Sequence, residues 1–176
     1  MENIIKEELT RTMQGFHLPK FGDLPNMGLY LEQTTKYINQ CLEPLGCIKI
    51  TGSMIRNYVK MGLVKNPAQK QYYNDQIGHL IVVTLLKPAL SLEHIKKLFQ
   101  MQEDSYPNEV AYDYFCRELE NNLYYRFGLT DSVKAVGKSS SLEKEMLRSA
   151  ITSISHIIYL NACFEWLSRE KEIAEK

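Results

Sequence analysis

The sequence lacks the loops by which many enzymes are recognised. It contains no Gly-x-Gly-x-x-Gly or Walker-type loop, so nucleotide binding has no support. Ser139, Ser140 and Ser141 form a serine run, but no His and carboxylate arrangement that would activate a nucleophile can be traced to it. We therefore expect neither a catalytic site nor a cofactor.

The cysteines are spread too widely to indicate a metal or redox site. There is no Cys-x-x-Cys pair, and no His-rich segment accompanies the four cysteines, which are Cys41, Cys47, Cys116 and Cys163. We expect reduced thiols that pack like small hydrophobic side chains. A zinc site or a redox pair would require the fold to gather distant residues.

Also absent are a long hydrophobic run and a secretory leader. No uninterrupted apolar segment reaches the roughly 18 residues that a membrane helix needs. The start, MENIIKEELTRTM, is too charged and polar for a signal peptide, so we expect a cytoplasmic protein. With 176 residues, 44% of them hydrophobic and 24% charged, the chain is long enough for one compact domain or two small ones.

The net charge is zero, but the charges are unevenly distributed. Residues 51–100 carry seven Lys and Arg against two Asp and Glu. Residues 1–50 carry five against six, and residues 101–176 carry nine against thirteen. A basic middle between acidic ends indicates a local site for a polyanion rather than a generally basic surface.

Hydrophobic spacing predicts two helices ahead of the basic stretch. Residues 1–15 carry isoleucine, leucine and methionine at helical intervals. Prolines and glycines make residues 16–28 irregular, and a second helix is predicted from Met27 to Leu45. Both helices would support the segment that follows.

The basic stretch begins with a clear helix signal. Thr51 is a good N-cap, and Gly62 fits the left-handed position that ends a helix. Ile55 and Tyr58 or Val59 fall on its inner face, whereas its outer face shows Ser53, Arg56, Asn57 and Lys60. Such side chains bind base edges and phosphates, so the segment from Thr51 to Gly62 is a candidate recognition helix.

Residues 65–73 predict a short two-stranded β wing. The pair Asn66-Pro67 favours a turn, and Tyr72 and Tyr73 favour a strand. Lys65 and Lys70 would then lie beside the backbone of a bound duplex.

Helical patterns continue to the end of the chain. We predict one helix from Asn74 to Lys87 with Asn74 as its cap, a second behind Ser91, and a third from Asn108 to Phe127, with residues 100–107 as a connector. A capping box of Ser140 and Glu143 would begin a long last helix that runs to about Glu170.

The last helix is apolar on most sides in the stretch AITSISHIIYLNACFEWL. Such a helix must be covered nearly all round, which a single helical hairpin cannot do. We therefore expect a homodimer formed through the C-terminal helices. His156 and Asn161 on this helix are weak candidates for a ligand site, because hydrogen bonding inside an interface is their commoner role.

Three segments together resemble the DNA-binding half of MerR-type regulators: ITGSMIRNYVKMGLV, QYYNDQIGHL and ALSLEHIKKLF. Arg56, Tyr58 and the Gly62-Leu63 turn match that pattern, Tyr73 matches the aromatic residue at the end of the wing, and Ser91-Leu92-Glu93 with Ile95 matches the last helix. The longer stretch from LPNMGLYLEQ to Phe99 resembles an uncharacterised bacterial group, the YkrK-like proteins, which carry a MerR-like module.

The resemblance implies a mainly α fold in two parts. Residues 1–100 would hold an N-terminal extension and a winged helix-turn-helix with a short β wing. Residues 101–176 would form a helical hairpin for dimerisation or sensing. The implied function is transcription regulation, with no effector indicated.

Two hypotheses from different classes follow. In the first, the chain is a sequence-specific regulator that binds double-stranded DNA as a homodimer, with the recognition helix in the major groove and the wing on phosphates. The predicted contacts are Arg56 and Asn57 to bases, Lys60, Lys65, Lys70 and Tyr58 to the backbone, and additional contacts from Ser53, Gln71 and Tyr73. Tyr58, Tyr72 and Tyr73 are of a residue type that more often packs in the core or the wing than contacts DNA, although a packed ring can still place its hydroxyl on a phosphate.

The alternative is a protein-interaction module that keeps the helix-turn-helix fold without reading DNA. Ser53 stands where the resembling proteins commonly have a basic residue, and Gln71 stands where their wing often has Arg. Both departures favour this second reading.

Overall fold

Periodic hydrophobic residues fold into helices along most of the chain. The computed structural model describes residues 2–46, 48–134, 136–137 and 141–174. Within these ranges it has seven α-helices and one small antiparallel sheet. In chain order they are α1 (Glu2–Met13), β1 (Leu29–Tyr30), α2 (Leu31–Leu42), α3 (Gly52–Lys60), β2 (Gln71–Tyr72), α4 (Asn74–Leu86), α5 (Leu92–Glu103), α6 (Asn108–Arg126) and α7 (Leu142–Ala174). The prediction of a mainly α fold with a short β element is confirmed.

The fourth helix, α4, lies at the centre of the core because it is apolar on nearly every side. Ile77, Leu80, Ile81, Val83 and Leu85 are all fully buried, and the helix packs against α2, α5, α6 and α7. Burying one such side chain contributes about 1.5–3 kcal/mol. The helices α2, α5, α6 and α7 therefore share α4 as a common packing partner.

The helices α4 and α6 approach each other closely at Gly78. A Cβ atom at this glycine would lie 3.2 Å from Cδ2 of Tyr112 and 3.4 Å from Cδ1 of Leu24. A larger residue at this position would push the two helices apart.

The helices α6 and α7 form the predicted C-terminal hairpin. Gly128, with φ of +78°, ends α6 in the left-handed conformation. Across the hairpin, Nε of Arg148 lies 3.0 Å from the buried carboxylate of Glu118, which also accepts a 2.8 Å hydrogen bond from the hydroxyl of Tyr114. This network fixes the first half of α7 on α6.

The N-terminal helix α1 packs onto this hairpin. Leu9 and Met13 are buried, and the hydroxyl of Thr10 donates a 2.6 Å hydrogen bond to the carbonyl of Phe127. The helix predicted for residues 1–15 is thus part of the core rather than a free extension.

The small sheet differs from the predicted wing. The expected pair of strands within residues 65–73 is reduced to a single bridge between Ala68 and Gln71. The strand β2 pairs instead with β1, with Leu29 opposite Tyr72 and Tyr30 opposite Gln71. Residues 29–30 were expected to be helical, but α2 begins only at Leu31.

Several predicted helix limits also change. Tyr73, not Asn74, is the N-cap of α4, and its N–H donates to Oε1 of Gln76 at 2.8 Å. The helix α5 continues to Glu103, so the connector to α6 is shorter than expected. Ser139 and Ser140, and with them the predicted capping box, lie outside the described residues.

The buried side chains of both predicted parts of the chain form one continuous core cluster. A division near residue 100 therefore stays a prediction. Of the helices in the described ranges, none combines the length and the apolar character that crossing a membrane requires.

Candidate nucleic-acid interface

The third helix, α3, has the start and the inner face that its sequence predicts. The hydroxyl of Thr51 accepts a 3.2 Å hydrogen bond from the N–H of Met54 and so caps the helix. Ile55 and Tyr58 are buried on the inner side. These contacts fix the rotation of α3 and direct its polar face outward.

The end of α3 is equally well defined. Gly62 has φ of +69°, and the N–H of Leu63 reaches back to the carbonyl of Tyr58 at 2.9 Å. These bonds form a Schellman motif, for which a left-handed glycine is the favoured residue. In addition, Nζ of Lys96 on α5 donates to the carbonyl of Met61 at 2.9 Å, and a cation there suits the negative end of a helix dipole.

The loop between α2 and α3 is held by one amide side chain. Nδ2 of Asn39 donates to the carbonyl of Ile50, and Oδ1 of Asn39 accepts from the N–H of Ile50, each at 2.9 Å. This two-way hydrogen bond sets α3 against α2 just before the helix begins.

The outer face of α3 is exposed along its length. Ser53, Arg56, Asn57 and Lys60 all lie on the surface. Nη2 of Arg56 lies 3.3 Å from the hydroxyl of Ser53, and the amide of Asn57 contacts the sulfur of Met61 at 3.6 Å. These contacts are weak and within the helix, so the side chains remain available to an external partner.

The wing brings further polar residues to the same surface. Lys65 and Lys70 are exposed, as is Gln69, which the sequence analysis did not single out. We call the seven exposed residues the basic face; they are Ser53, Arg56, Asn57, Lys60, Lys65, Gln69 and Lys70.

The tip of the wing has an unusual backbone. Gln69 and Lys70 have φ of +50° and +65°, and the N–H of Gln71 closes the turn on the carbonyl of Ala68 at 2.9 Å. Positive φ at both central residues is typical of a type I′ turn, which normally takes Asn-Gly. Two long side chains therefore occupy a strained turn, and no turn signal in the sequence indicated it.

A buried glutamine attaches the base of the wing to α4. Nε2 of Gln76 donates to the carbonyls of Asn66 at 2.9 Å and Lys65 at 3.3 Å. The first residues of the wing are thus attached to α4, although most side chains of the wing are exposed.

Gln71 and Tyr73 stabilise the sheet rather than extend from it. A Cβ atom at Gly28 would lie 2.7 Å from Cβ of Gln71, so β1 and the wing touch at a position where only glycine fits. Gln71 is half-buried, and its Oε1 accepts a 3.4 Å hydrogen bond from the hydroxyl of Tyr73. Both residues were predicted to contact DNA, and both are half-buried.

Tyr58 also lies inside the protein. Its side chain is 1% exposed, and burial raises the pKa of its hydroxyl, for which no described residue supplies a hydrogen-bond partner. The predicted contact between this hydroxyl and a phosphate does not agree with such a position. Its spacing with Ile55 on the inner face was the signal for the core role.

The positive charges of the basic face are not neutralised by the described part of the chain. Within it, no carboxylate oxygen lies within 4.0 Å of a charged nitrogen of Arg56, Lys60, Lys65 or Lys70. Burial raises the pKa of Tyr72, and the nearby charge of Arg56 partly opposes that shift. Because Tyr72 belongs to β2, Arg56 on the outer face of α3 lies near the wing.

The weak ligand candidates of the last helix lie elsewhere. His156 is exposed, and its Nδ1 lies 3.4 Å from Nη2 of Arg126, while Asn161 is half-buried. Among the described residues there is no group of three or more His, Cys, Asp or Glu side chains that would hold a metal ion. Cys41, Cys116 and Cys163 are free thiols, as expected, and Cys47 lies outside the described ranges.

Comparison with known families gives one match. Residues 19–115 match DUF1836, a domain of unknown function. No curated protein and no solved structure matches the chain. The matched segment contains the entire basic face and more than half of the 176 residues, and the chain therefore belongs to the DUF1836 family.

Proposed function

We propose that the protein is a sequence-specific DNA-binding transcription regulator that acts as a homodimer. In this proposal α2 and α3 form a helix-turn-helix, α3 enters the major groove, and the wing lies on the phosphate backbone. Arg56 and Asn57 contact base edges, whereas Lys60, Lys65 and Lys70 contact phosphates.

The observation that carries the proposal is the exposed and unneutralised basic face. Arg56, Lys60, Lys65 and Lys70 are all exposed, and within the described residues none of them has a carboxylate oxygen within 4.0 Å. An array of this kind attracts a polyanion through phosphate contacts and counterion release.

The order of elements also supports it. The succession α2, α3, wing and α4 follows the order that the resemblance to MerR-type regulators implies. The clamp of Asn39 on Ile50 fixes the angle between α2 and α3, as two helices that dock together on a duplex require.

The strained wing tip is a third supporting observation. A non-glycine residue in the left-handed region costs about 1 kcal/mol or more, and such strain is often kept where the side chain has a function. Gln69 and Lys70 both carry this cost, and both side chains are exposed.

The proposed dimer rests on an apolar stripe along the second half of α7. Leu160, Phe164 and Leu167 are 52%, 64% and 42% exposed, and the half-buried Ile157 continues the row toward the N-terminus. The intervals of three, four and three residues are those of a heptad seam between two helices. We call these four residues the apolar stripe.

A second copy of the chain is the occupant that best fits this stripe. A heptad seam is complementary to itself, so two copies can pair about a two-fold axis. The stripe lies on α7, which also approaches the loop between α2 and α3. A Cβ atom at Gly46 in that loop would be 3.1 Å from the carboxylate of Glu165 on α7. Pairing through α7 would therefore set the distance between two α3 helices.

The proposal is tested first by selecting bound duplexes from a random library with the purified protein. A gel-shift series over rising salt then measures the affinity for the selected site. The logarithm of the affinity should fall linearly with the logarithm of salt, with a slope of about 0.9 per phosphate contact. Failure to enrich any sequence would reject sequence-specific binding and favour the interaction module.

The substitution Arg56→Ala should remove roughly 1–3 kcal/mol of discrimination for the selected site. The matched control is Arg117→Ala, which removes an exposed arginine from α6. If Arg56→Ala binds the selected site as tightly as the control, α3 is not the reading helix.

A further inference from the structure

The molecule also contains a cavity, and no residue of the basic face lines it. The cavity has a volume of about 150 Å³ and lies between α4, α5, α6 and the first turns of α7. Phe99, Tyr112 and Phe115 are among the aromatic side chains that line it, and its walls are almost wholly apolar. Apolar cavities of about this volume are known to accept a single benzene ring.

Side-chain hydrogen bonds join three of the helices that line the cavity. Nδ2 of Asn108 donates to Oδ1 of Asp75 at 3.2 Å, and Nε2 of Gln102 lies 3.4 Å from Oδ1 of Asn108. These bonds link the N-termini of α4 and α6 to the end of α5. The site is therefore formed before any ligand arrives, as binding pockets usually are.

One histidine supplies a polar anchor in the wall. Nδ1 of His79 lies 2.8 Å from the backbone carbonyl of Asp75. Because a carbonyl only accepts hydrogen bonds, Nδ1 donates in this contact, and in the tautomer with its proton on Nδ1 the other nitrogen, Nε2, is an acceptor. The ring stands edge-on to Phe99, with 4.8 Å between the ring centroids.

The opening is lined by apolar surface that is exposed to solvent. Tyr106 and Val110 are 38% and 51% exposed at the edge of the cavity. On the same helix, α6, the side chain of Tyr112 is buried. Exposed apolar residues beside an apolar cavity widen the surface that an entering ring would cover.

We propose that this cavity binds a small neutral aromatic molecule that carries one hydrogen-bond donor. The ring packs among the aromatic walls, and the donor bonds to Nε2 of His79. The volume fits one ring, and the apolar walls disfavour a charged group, since burying an unpaired charge is costly. This site is separate from the basic face and does not depend on DNA binding.

Phenol and toluene are suitable probes because they have nearly the same shape and differ in one donor. Ligand-observed NMR and thermal melting with the full-length protein measure their affinities. Both should bind saturably, and phenol should bind roughly two- to tenfold tighter because of one added hydrogen bond. If phenol, toluene or both fail to bind saturably, the proposal is wrong.

Two substitutions locate the site. Ala111→Leu places a larger side chain in the cavity wall and should abolish binding of both probes, whereas Gln100→Leu adds leucine at an exposed position of α5 outside the lining and should leave it unchanged. His79→Leu should retain toluene and lose the preference for phenol. If folded Ala111→Leu still binds, or if His79→Leu keeps the preference, the assignment is wrong; should Ala111→Leu fail to fold, the histidine variant alone decides.

Discussion

The basic face and the apolar stripe are both exposed surfaces, yet they are built in opposite ways. The basic face consists of polar side chains on the short helix α3, whose two ends are fixed by Thr51 and Gly62, and on the wing that follows it. The apolar stripe consists of large hydrophobic side chains on the far half of a 33-residue helix, whose near half is fixed by Arg148. Neither surface is covered by the described part of the chain.

The difference indicates two different kinds of partner. A face of unneutralised cations lowers its free energy by meeting negative charge, and this contact weakens with salt. A row of exposed leucine and phenylalanine lowers its free energy by leaving water, and this contact depends little on salt. Measurements that separate salt-sensitive from salt-insensitive association therefore test the comparison directly.

The largest expected effect comes from placing a charge on the stripe. Phe164→Glu should weaken self-association at least a hundredfold, because it removes a large apolar anchor and brings a carboxylate into the seam. Sedimentation equilibrium at two salt concentrations measures this change. The control is Arg169→Glu, at an exposed position on the side of α7 away from the stripe. A wild-type chain that is monomeric at high concentration would contradict the assignment of the stripe.

The second largest effect is expected at the N-cap of α3, and the N-cap of α5 has the same geometry and serves for comparison. The hydroxyls of Thr51 and Ser91 each accept a 3.2 Å hydrogen bond from the third residue of their helix. Thr51→Ala and Ser91→Ala should each lower the free energy of unfolding by about 1 kcal/mol in urea denaturation. Only Thr51→Ala should also weaken DNA binding, because it loosens the first turn of α3. Equal losses of DNA affinity in both variants would show that α3 has no special place in binding.

The smallest effect concerns the strained turn. Gln69→Asn and Lys70→Gly bring the sequence toward the residues that a type I′ turn prefers. Each should raise the free energy of unfolding by roughly 0.5 kcal/mol. Gln69→Asn should leave the salt slope of DNA binding unchanged, whereas Lys70→Gly should reduce it by about one phosphate contact. An unchanged slope in Lys70→Gly would mean that the wing does not touch the duplex.

Local signals in the sequence predicted the local structure well. Thr51 and Ser91 cap their helices, and Gly62 ends α3 in the left-handed conformation. Each of these features depends on residues within one or two turns of each other, so a short window of sequence is enough to predict it.

Features formed by distant residues were not predictable in this way. The strand Leu29–Tyr30 is two residues long and pairs with a segment about forty positions away, so no periodicity marks it. The turn at Gln69 and Lys70 has positive φ at residues that rarely adopt it, because its conformation is imposed by the sheet and by Gln76. The cavity likewise arises only when four helices meet.

The helix α5 contacts both the cavity and the end of α3. Its Lys96 holds the end of α3, while its Phe99 and Gln102 border the cavity about one turn further along. A helix of 12 residues is about 18 Å long and moves as a rigid rod. Because both contacts lie on one continuous helix, a shift of α5 at the cavity would also shift Lys96 at the carboxyl end of α3.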